Sequence, residues 1–355
     1  MEETEAVAYT ITGGSGQYSY SKNSNFQRKA ADAAKELINK SIAEKLDADI
    51  LSSSNTFRLA DLGCAAGPNT FVAVQNIIDA LEQKFQNQEK ISHPPEFQVF
   101  FNDHASNDFN HLFTTLPQER RYFAVGVPGS FHGRIFPRAS LHFVHSSYAA
   151  NVFSRLPKEV MDRKSPAWNK GRIHYSNSTD EVVKAYETQY AKDMESFLKT
   201  RAEEIVHGGL LALIVPGRPN GTPHSEAFVN RTCEVLGSCL VDVANKGMIN
   251  NELVDSFNVG TYFASPQEME AVVKRQGCFS IEIIESVPLE RARPKEISST
   301  LRAGMGGTIK EHFGEEILDE LFDLFYKKLE ENSSFIYDSG NAISLFVLLK
   351  RVATE

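Results

Sequence analysis

The sequence has few cysteines, four in 355 residues, and none is placed for metal or redox chemistry. Cys64, Cys233, Cys239 and Cys278 make no CxxC pair and no metal-ligand spacing with histidine, which argues against a zinc site and a disulfide framework. A reducing compartment follows. Long apolar runs are missing too: LLALIV at 210–215 and ISLFVLL at 343–349 fall far short of the roughly 20 residues that a spanning helix needs. The opening MEETEAVAYT is acidic and holds no apolar signal-peptide core. The expectation is a cytosolic (cytoplasmic) protein with no membrane partner, whose sequons at Asn177 and Asn220 stay unmodified. No block of Lys and Arg interrupts a chain of net charge −9, so no nucleic acid is expected as a partner. Small-molecule chemistry is the better expectation.

Two nucleotide-binding patterns are also absent. A dinucleotide fingerprint needs glycines at first, third and sixth places, and Gly63 and Gly67 in RLADLGCAAGPNTF do not fit that spacing. A phosphate loop ends Gly-Lys-Ser/Thr; here the turn ends Gly67-Pro68-Asn69, with no cation for a phosphate. What is present is a strand that ends on Asp61, a turn of small residues, and a helical pattern from Asn69. An acid at that place points to a ligand with hydroxyls or positive charge. S-adenosylmethionine has both, a ribose and an α-amino group beside its sulfonium. A turn-capping role for Asp61 competes on this segment alone. The next strand, EFQVFFND, then places Asp103 at its carboxyl end, where a doubly wound sheet puts the acid that binds a ribose diol. The interval from Asp61 to Asp103 exceeds the usual ~20 residues. The crossover must therefore contain a long helix and a loop around His93-Pro94-Pro95.

Apolar residues make up 41% and charged residues 23% of the chain, enough for a core without staples. Strand-like and helix-like stretches alternate, which predicts an α/β fold. Strands are expected at 57–63, 96–103, 121–128, 141–147, 209–217, 279–287 and 342–350. Helices are expected at 25–46, 69–86, 106–115, 180–206, 224–246, 265–276 and 311–331. Segments 154–200, 218–276 and 290–340 are longer than one crossover helix requires. They are expected to form an α-helical cap over an α/β core made of 25–153, 201–217, 277–289 and 341–351, within one catalytic unit.

Longer motifs carry a family resemblance over nearly the whole chain: GGSGQYSYSKNSNFQRK, ADLGCAAGPNT, FFNDHASNDFN, GVPGSFHGRIFPRASLHFVHSSYA, NKGRIHY and DSFN. The chain resembles the plant SABATH methyltransferases, the salicylate, benzoate and theobromine class. The resemblance implies a Rossmann-like class I methyltransferase sheet with an inserted helical cap, and S-adenosylmethionine as co-substrate. It places Tyr20, Ser24, Asp61, Cys64 and Asn69 around the methionine part, Asp103 and His104 around ribose and adenine, and Ser130 and Phe131 around the adenine, and it counts Gln27 among the cofactor-binding as well as the acceptor residues.

Methyl transfer from a sulfonium is an in-line displacement, so positioning is the protein's main task. A carboxylate acceptor with a pKa of roughly 4 is already ionised at neutral pH. An N–H or phenol acceptor would gain from a base, and the sequence offers no Ser-His-Asp or Cys-His arrangement. A carboxylate of a small plant metabolite, converted to a methyl ester, is thus the leading expectation. Carboxyl-methylating relatives grip that anion with a Gln, matched by Gln27, and a Trp. The second position here is Val152, preceded by Asn151, so either Asn151 supplies the missing donor or the acceptor is an N-heterocycle. A binding partner without turnover is a third reading. Tyr148, Cys233, Tyr262 and apolar side chains at 305–309 are further pocket candidates. The resemblance also implies a magnesium site at Asn169, Asp255, Phe257 and Asn258, set against a plain hydrogen-bonded loop junction, and a homodimer.

Overall fold

The computed structural model describes residues 11–47, 50, 55–86, 95–338 and 342–352. The loop expected at His93-Pro94 lies outside them. Seven strands form one sheet: β1 (Thr56–Leu62), β2 (Glu96–Asp103), β3 (Phe123–Pro128), β4 (Leu141–Ser147), β5 (Ile205–Gly217), β6 (Phe279–Pro288) and β7 (Ile343–Arg351). The order is β3-β2-β1-β4-β5-β7-β6. β1 to β5 run parallel, while β7 is antiparallel to both β5 and β6. The fold is a Rossmann-like class I methyltransferase sheet.

The central strands are buried on both faces, and the middle of β5 accordingly reads as an apolar run, LLALIV, rather than an alternation. Period two still sorts the side chains. Leu210, Ala212 and Ile214 join α2 (Asn25–Lys45) and α3 (Pro68–Gln86) on one face. Leu211, Leu213 and Val215 join α5 (Asp180–Glu204) and α8 (Pro266–Gln276) on the other. These last two helices belong to segments expected in the cap; their apolar stripes, Met194, Phe197 and Leu198 in α5 and Met269, Val272 and Val273 in α8, instead cover the sheet. Beyond them, α6 (Phe228–Asn245), α7 (Asn251–Ser256), α9 (Pro294–Phe313) and α10 (Leu318–Glu331) share the first face's core. A short α1 (Tyr20–Asn23), α4 (Phe109–Thr114) and α11 (Ser333–Tyr337) complete the set. No helix among the described residues is long and apolar enough to cross a membrane.

Three boundaries differ from expectation for identifiable reasons. The helix expected at 311–331 covers only the end of α9, most of which was not expected to be helical; it breaks at Gly314, whose φ of 95° no helix continues through, and resumes as α10. Before α6 the chain makes a tight turn at His224–Glu226 rather than α-helix. β5 begins at Ile205, because Gly208 at φ 76° and an irregular register opposite Leu141 and Phe143 let the strand bend and continue.

One fully buried ion pair fastens the loop after β3. Arg201 Nε and Glu204 Oε2, both on the last turn of α5, are 2.8 Å apart. Arg201 donates to the carbonyls of Phe131 at 2.8 Å and Gly133 at 2.9 Å. Glu204 accepts from the amides of Ile135 at 2.7 Å and Phe136 at 2.9 Å. Burial pulls the guanidinium's pKa down and Glu204 opposes the shift. Removing one partner strands the other charge, so Arg201→Ala is expected to cost ~3–5 kcal/mol. Urea denaturation checks this, and a double replacement of Arg201 and Glu204 by methionine should lose less than Arg201→Ala alone.

Candidate active site

The parallel register sets Asp61 beside Phe101 on β2 and beside His145 on β4. Asp61 is buried. Its Oδ1 lies 2.7 Å from His145 Nδ1, and its Oδ2 accepts from the Thr70 hydroxyl at the start of α3. Sequence reasoning missed both partners; the signal was a histidine inside an otherwise buried strand. Asp103 accepts at Oδ2 from the Ala65 amide and at Oδ1 from the His104 amide, each at 2.7 Å. His104 therefore meets Asp103 through its backbone.

The turn between β1 and α3 is tight. A Cβ at Gly63 would stand 2.2 Å from that of Ala149, and Ala65 is held at φ 56°. At Gly67 a side chain would meet the Ser21 backbone at 3.3 Å, so glycine lets α1 come close. Asn69 Nδ2 then donates to Ser24 Oγ at 2.9 Å and to its carbonyl at 3.1 Å. Burial, then the charges of Asp103 and Asp61 and the nearby Tyr148 and Cys64, push the Tyr20 hydroxyl up, which marks these groups as neighbours. Burial likewise keeps the Cys64 thiol protonated. Tyr20, Ser24, Asp61, Cys64, Asn69, Asp103 and His104 thus gather around one turn. The loop with Ser130 is tied in by the Gly129 amide, which donates to the Asp103 carbonyl at 2.8 Å. The Phe131 ring is buried edge-on against Phe197, 5.9 Å between centroids.

Beside this turn lies a cavity of about 190 Å³. α2 contributes Phe26 and Gln27, the segment after β4 Tyr148, Asn151 and Val152, and α6 Val229, Thr232 and Cys233. Val259, Thr261 and Phe263 form one wall, and Ile297, Thr300, Leu301, Gly304 and Met305 on α9 form another. No acidic or basic residue is among the described residues that line it. Tyr148 hydrogen-bonds Ser344 at 2.7 Å, Thr232 the Val229 carbonyl at 2.6 Å, and Thr300 the Asn23 carbonyl at 3.1 Å. Gln27 Oε1 and Asn151 Oδ1 are buried without a protein partner. Burial pushes the Cys233 thiol up to about 12, so it is neutral.

Two pocket expectations change. Tyr262 does not line the cavity: in the extended stretch 259–263 alternate residues face it, and Tyr262 stacks between Tyr175 at 5.1 Å and Tyr190 at 4.9 Å while donating to Glu268 at 2.8 Å. Of the apolar residues at 305–309, Met305 lines the cavity and Ile309 is core. The α9 wall went unread, although 297, 300, 301 and 304 have the spacing of one helix face.

The residues proposed for magnesium do not fit one. Asn169 donates to Asn258 Oδ1 at 2.8 Å and accepts from Ser178 at 2.7 Å, and Asn258 Oδ1 also accepts from Tyr186. Asp255 takes the Gly171 amide at 2.8 Å, and Phe257 packs on Phe313. Three of the oxygens a cation would need, on Asn169, Asn258 and Asp255, already accept hydrogen bonds. No metal-ligating cluster of His, Cys, Asp or Glu occurs among the described residues. This is the hydrogen-bonded loop junction.

The family model of SAM-dependent carboxyl methyltransferases matches residues 6–352. Loganic acid O-methyltransferase of Catharanthus roseus is 45% identical over 98% of this chain and 95% of its own length. Farnesoic acid carboxyl-O-methyltransferase of Arabidopsis thaliana is 40% identical over 98% and 99%. A solved loganic acid methyltransferase with SAH superposes with a TM-score of 0.93 at 44% identity, covering 97% of this chain and 99% of that one. S-adenosylhomocysteine is therefore the probe for Asp103. Burial raises the Asp103 pKa more than the Ala65 and His104 amides lower it. Its ionised form is lost at a higher pH than an ordinary carboxylate, so affinity should fall on acidification through that raised pKa. Asp103→Asn should remove this pH dependence, and Asp103→Ala should weaken binding ~10–100-fold by calorimetry. With motifs, fold and relatives in agreement over nearly its whole length, the chain belongs to the S-adenosylmethionine-dependent carboxyl methyltransferase family.

Proposed function

We propose that this methyltransferase takes a preformed carboxylate of a small plant metabolite as its acceptor, held by the carboxamides of Gln27 and Asn151. One observation carries the reading: a cavity whose described lining offers no acid or base and in which the amide oxygens of Gln27 and Asn151 are buried without a partner, so that a half-turn of either amide group presents its N–H to an anion. An acid with a pKa of about 4 enters already ionised and needs no proton removed. The amide groups replace part of its lost hydration, and the cofactor's sulfonium supplies the opposite charge. An N–H acceptor would find nothing to take its proton. Val152, where carboxyl-methylating relatives carry Trp, leaves Asn151 as the second donor. The volume slightly exceeds the ~150 Å³ that accommodates a benzene ring, which suits an acid of about that bulk.

On the cofactor side the proposal assigns Asp103 to the ribose, with His104, Ser130 and Phe131 toward the adenine. Tyr20, Ser24, Asp61, Cys64 and Asn69 surround the methionine end. A cytosolic setting suits four cysteines that are all free thiols. Homodimer formation rests on the family resemblance, and no magnesium step enters.

Isotopically labelled methyl should pass from S-adenosylmethionine to a member of a panel of plant carboxylic acids, and mild alkali should release the label as methanol. Label that survives as an N-methyl product overturns the reading. Gln27→Ala and Asn151→Ala are each expected to lower kcat/KM ~10–100-fold while S-adenosylhomocysteine affinity holds. Burial raises the two titratable groups among the described residues of the acceptor cavity, Tyr148 and Cys233, far above neutral pH, so the acceptor-dependent rate should stay flat between about pH 6 and 8, and a steep rise there would reveal a base.

A further inference from the structure

We infer that His145 is a positioning residue for the cofactor: through its Nδ1 it fixes the Asp61 carboxylate as the anchor for the α-ammonium of the methionine end. The inference rests on the family's use of S-adenosylmethionine and not on the nature of the acceptor.

Asp61 and His145 are directly opposed in the parallel β1–β4 ladder, so their side chains leave the sheet on the same face. The 2.7 Å contact at Oδ1 and the Thr70 hydroxyl at Oδ2 hold the carboxylate from two sides, one on the sheet and one on α3. Both residues are buried, where a carboxylate free to rotate would lose much of its directional field. Asp61 is close to the turn that carries Tyr20, Cys64 and Asp103, near enough for its charge to add to burial in raising the pKa of all three. A cation placed there meets a negative charge that needs no reorganisation.

The other ring nitrogen makes the case against simple packing. His145 Nε2 is buried and has no hydrogen-bond partner. A site that needed only volume would be filled by an apolar ring at lower cost, because a dry polar atom is unfavourable. The histidine is retained for the nitrogen that touches Asp61. Its proton is assigned to Nδ1, since only a donor there satisfies the carboxylate.

Two ligands separate positioning from folding. S-adenosylhomocysteine carries the α-ammonium; 5′-methylthioadenosine keeps the nucleoside and lacks the amino-acid end. His145→Phe should weaken S-adenosylhomocysteine ~10-fold or more while 5′-methylthioadenosine changes less than ~2-fold, both by calorimetry. His145→Asn, whose amide can donate to Asp61, should recover most of the loss, and KM for S-adenosylmethionine should rise more than kcat falls. Equal weakening of both ligands, unchanged S-adenosylhomocysteine binding, or no recovery with asparagine would each overturn the assignment. If His145→Phe does not fold, Thr70→Val frees the other oxygen and must show the same selective loss. Failure of this test leaves ester formation untouched, and an N-methyl product would leave this test untouched.

Discussion

Parallel pairing of β1 with β2 on one side and β4 on the other is the constraint on which the site depends. Parallel strands bring all their carboxyl ends to one edge, so residues distant in sequence, Asp61, Asp103 and His145, end within reach of one another without any loop having to carry them there. The tight turn after β1 then brings Asn69 to Ser24, and α1 closes over Gly67. The buried Arg201–Glu204 pair repeats the device on the opposite face, holding the loop after β3 by its main-chain groups. In both places hydrogen bonds from neighbouring elements hold a charged side chain in one orientation.

Cofactor and acceptor sides use opposite chemistry. Two acids stand at the strand tips, assigned in the proposal to hydroxyls and a cation, while the adjoining cavity is lined by apolar and uncharged polar side chains. Such a division suits a reaction in which the cofactor brings the charge and the acceptor arrives ionised. Nothing near the acceptor then has to change protonation state as the methyl moves.

The strand tips were legible because a buried strand that ends on an acid is a rare pattern, and EFQVFFND and RLADLG both show it. Gln27 and Asn151 were legible only through the family resemblance, since a helical Gln and a loop Asn look like surface residues when read alone. The α9 wall was obscured by its own composition. Gly304, Gly306 and Gly307 depress helix propensity across a segment that tertiary packing nonetheless holds helical. Tyr262 was misread because extended chain turns alternate side chains away, and the sequence offered no sign that 259–263 was extended. The cap boundaries failed at α5 and α8 because an apolar stripe does not say which surface it meets.

The seventh strand in chain order lies in the interior of the sheet. β7 sits between β5 and β6, and its Ser344 is the partner of Tyr148 in the acceptor cavity. On the ribosome, therefore, neither the sheet nor the cavity wall can close until β7 has left the exit tunnel. A nascent chain holding every cofactor residue still lacks the strand that seals its core. A chain without β7 has open edges at β5 and β6, surfaces on which two incomplete chains can pair.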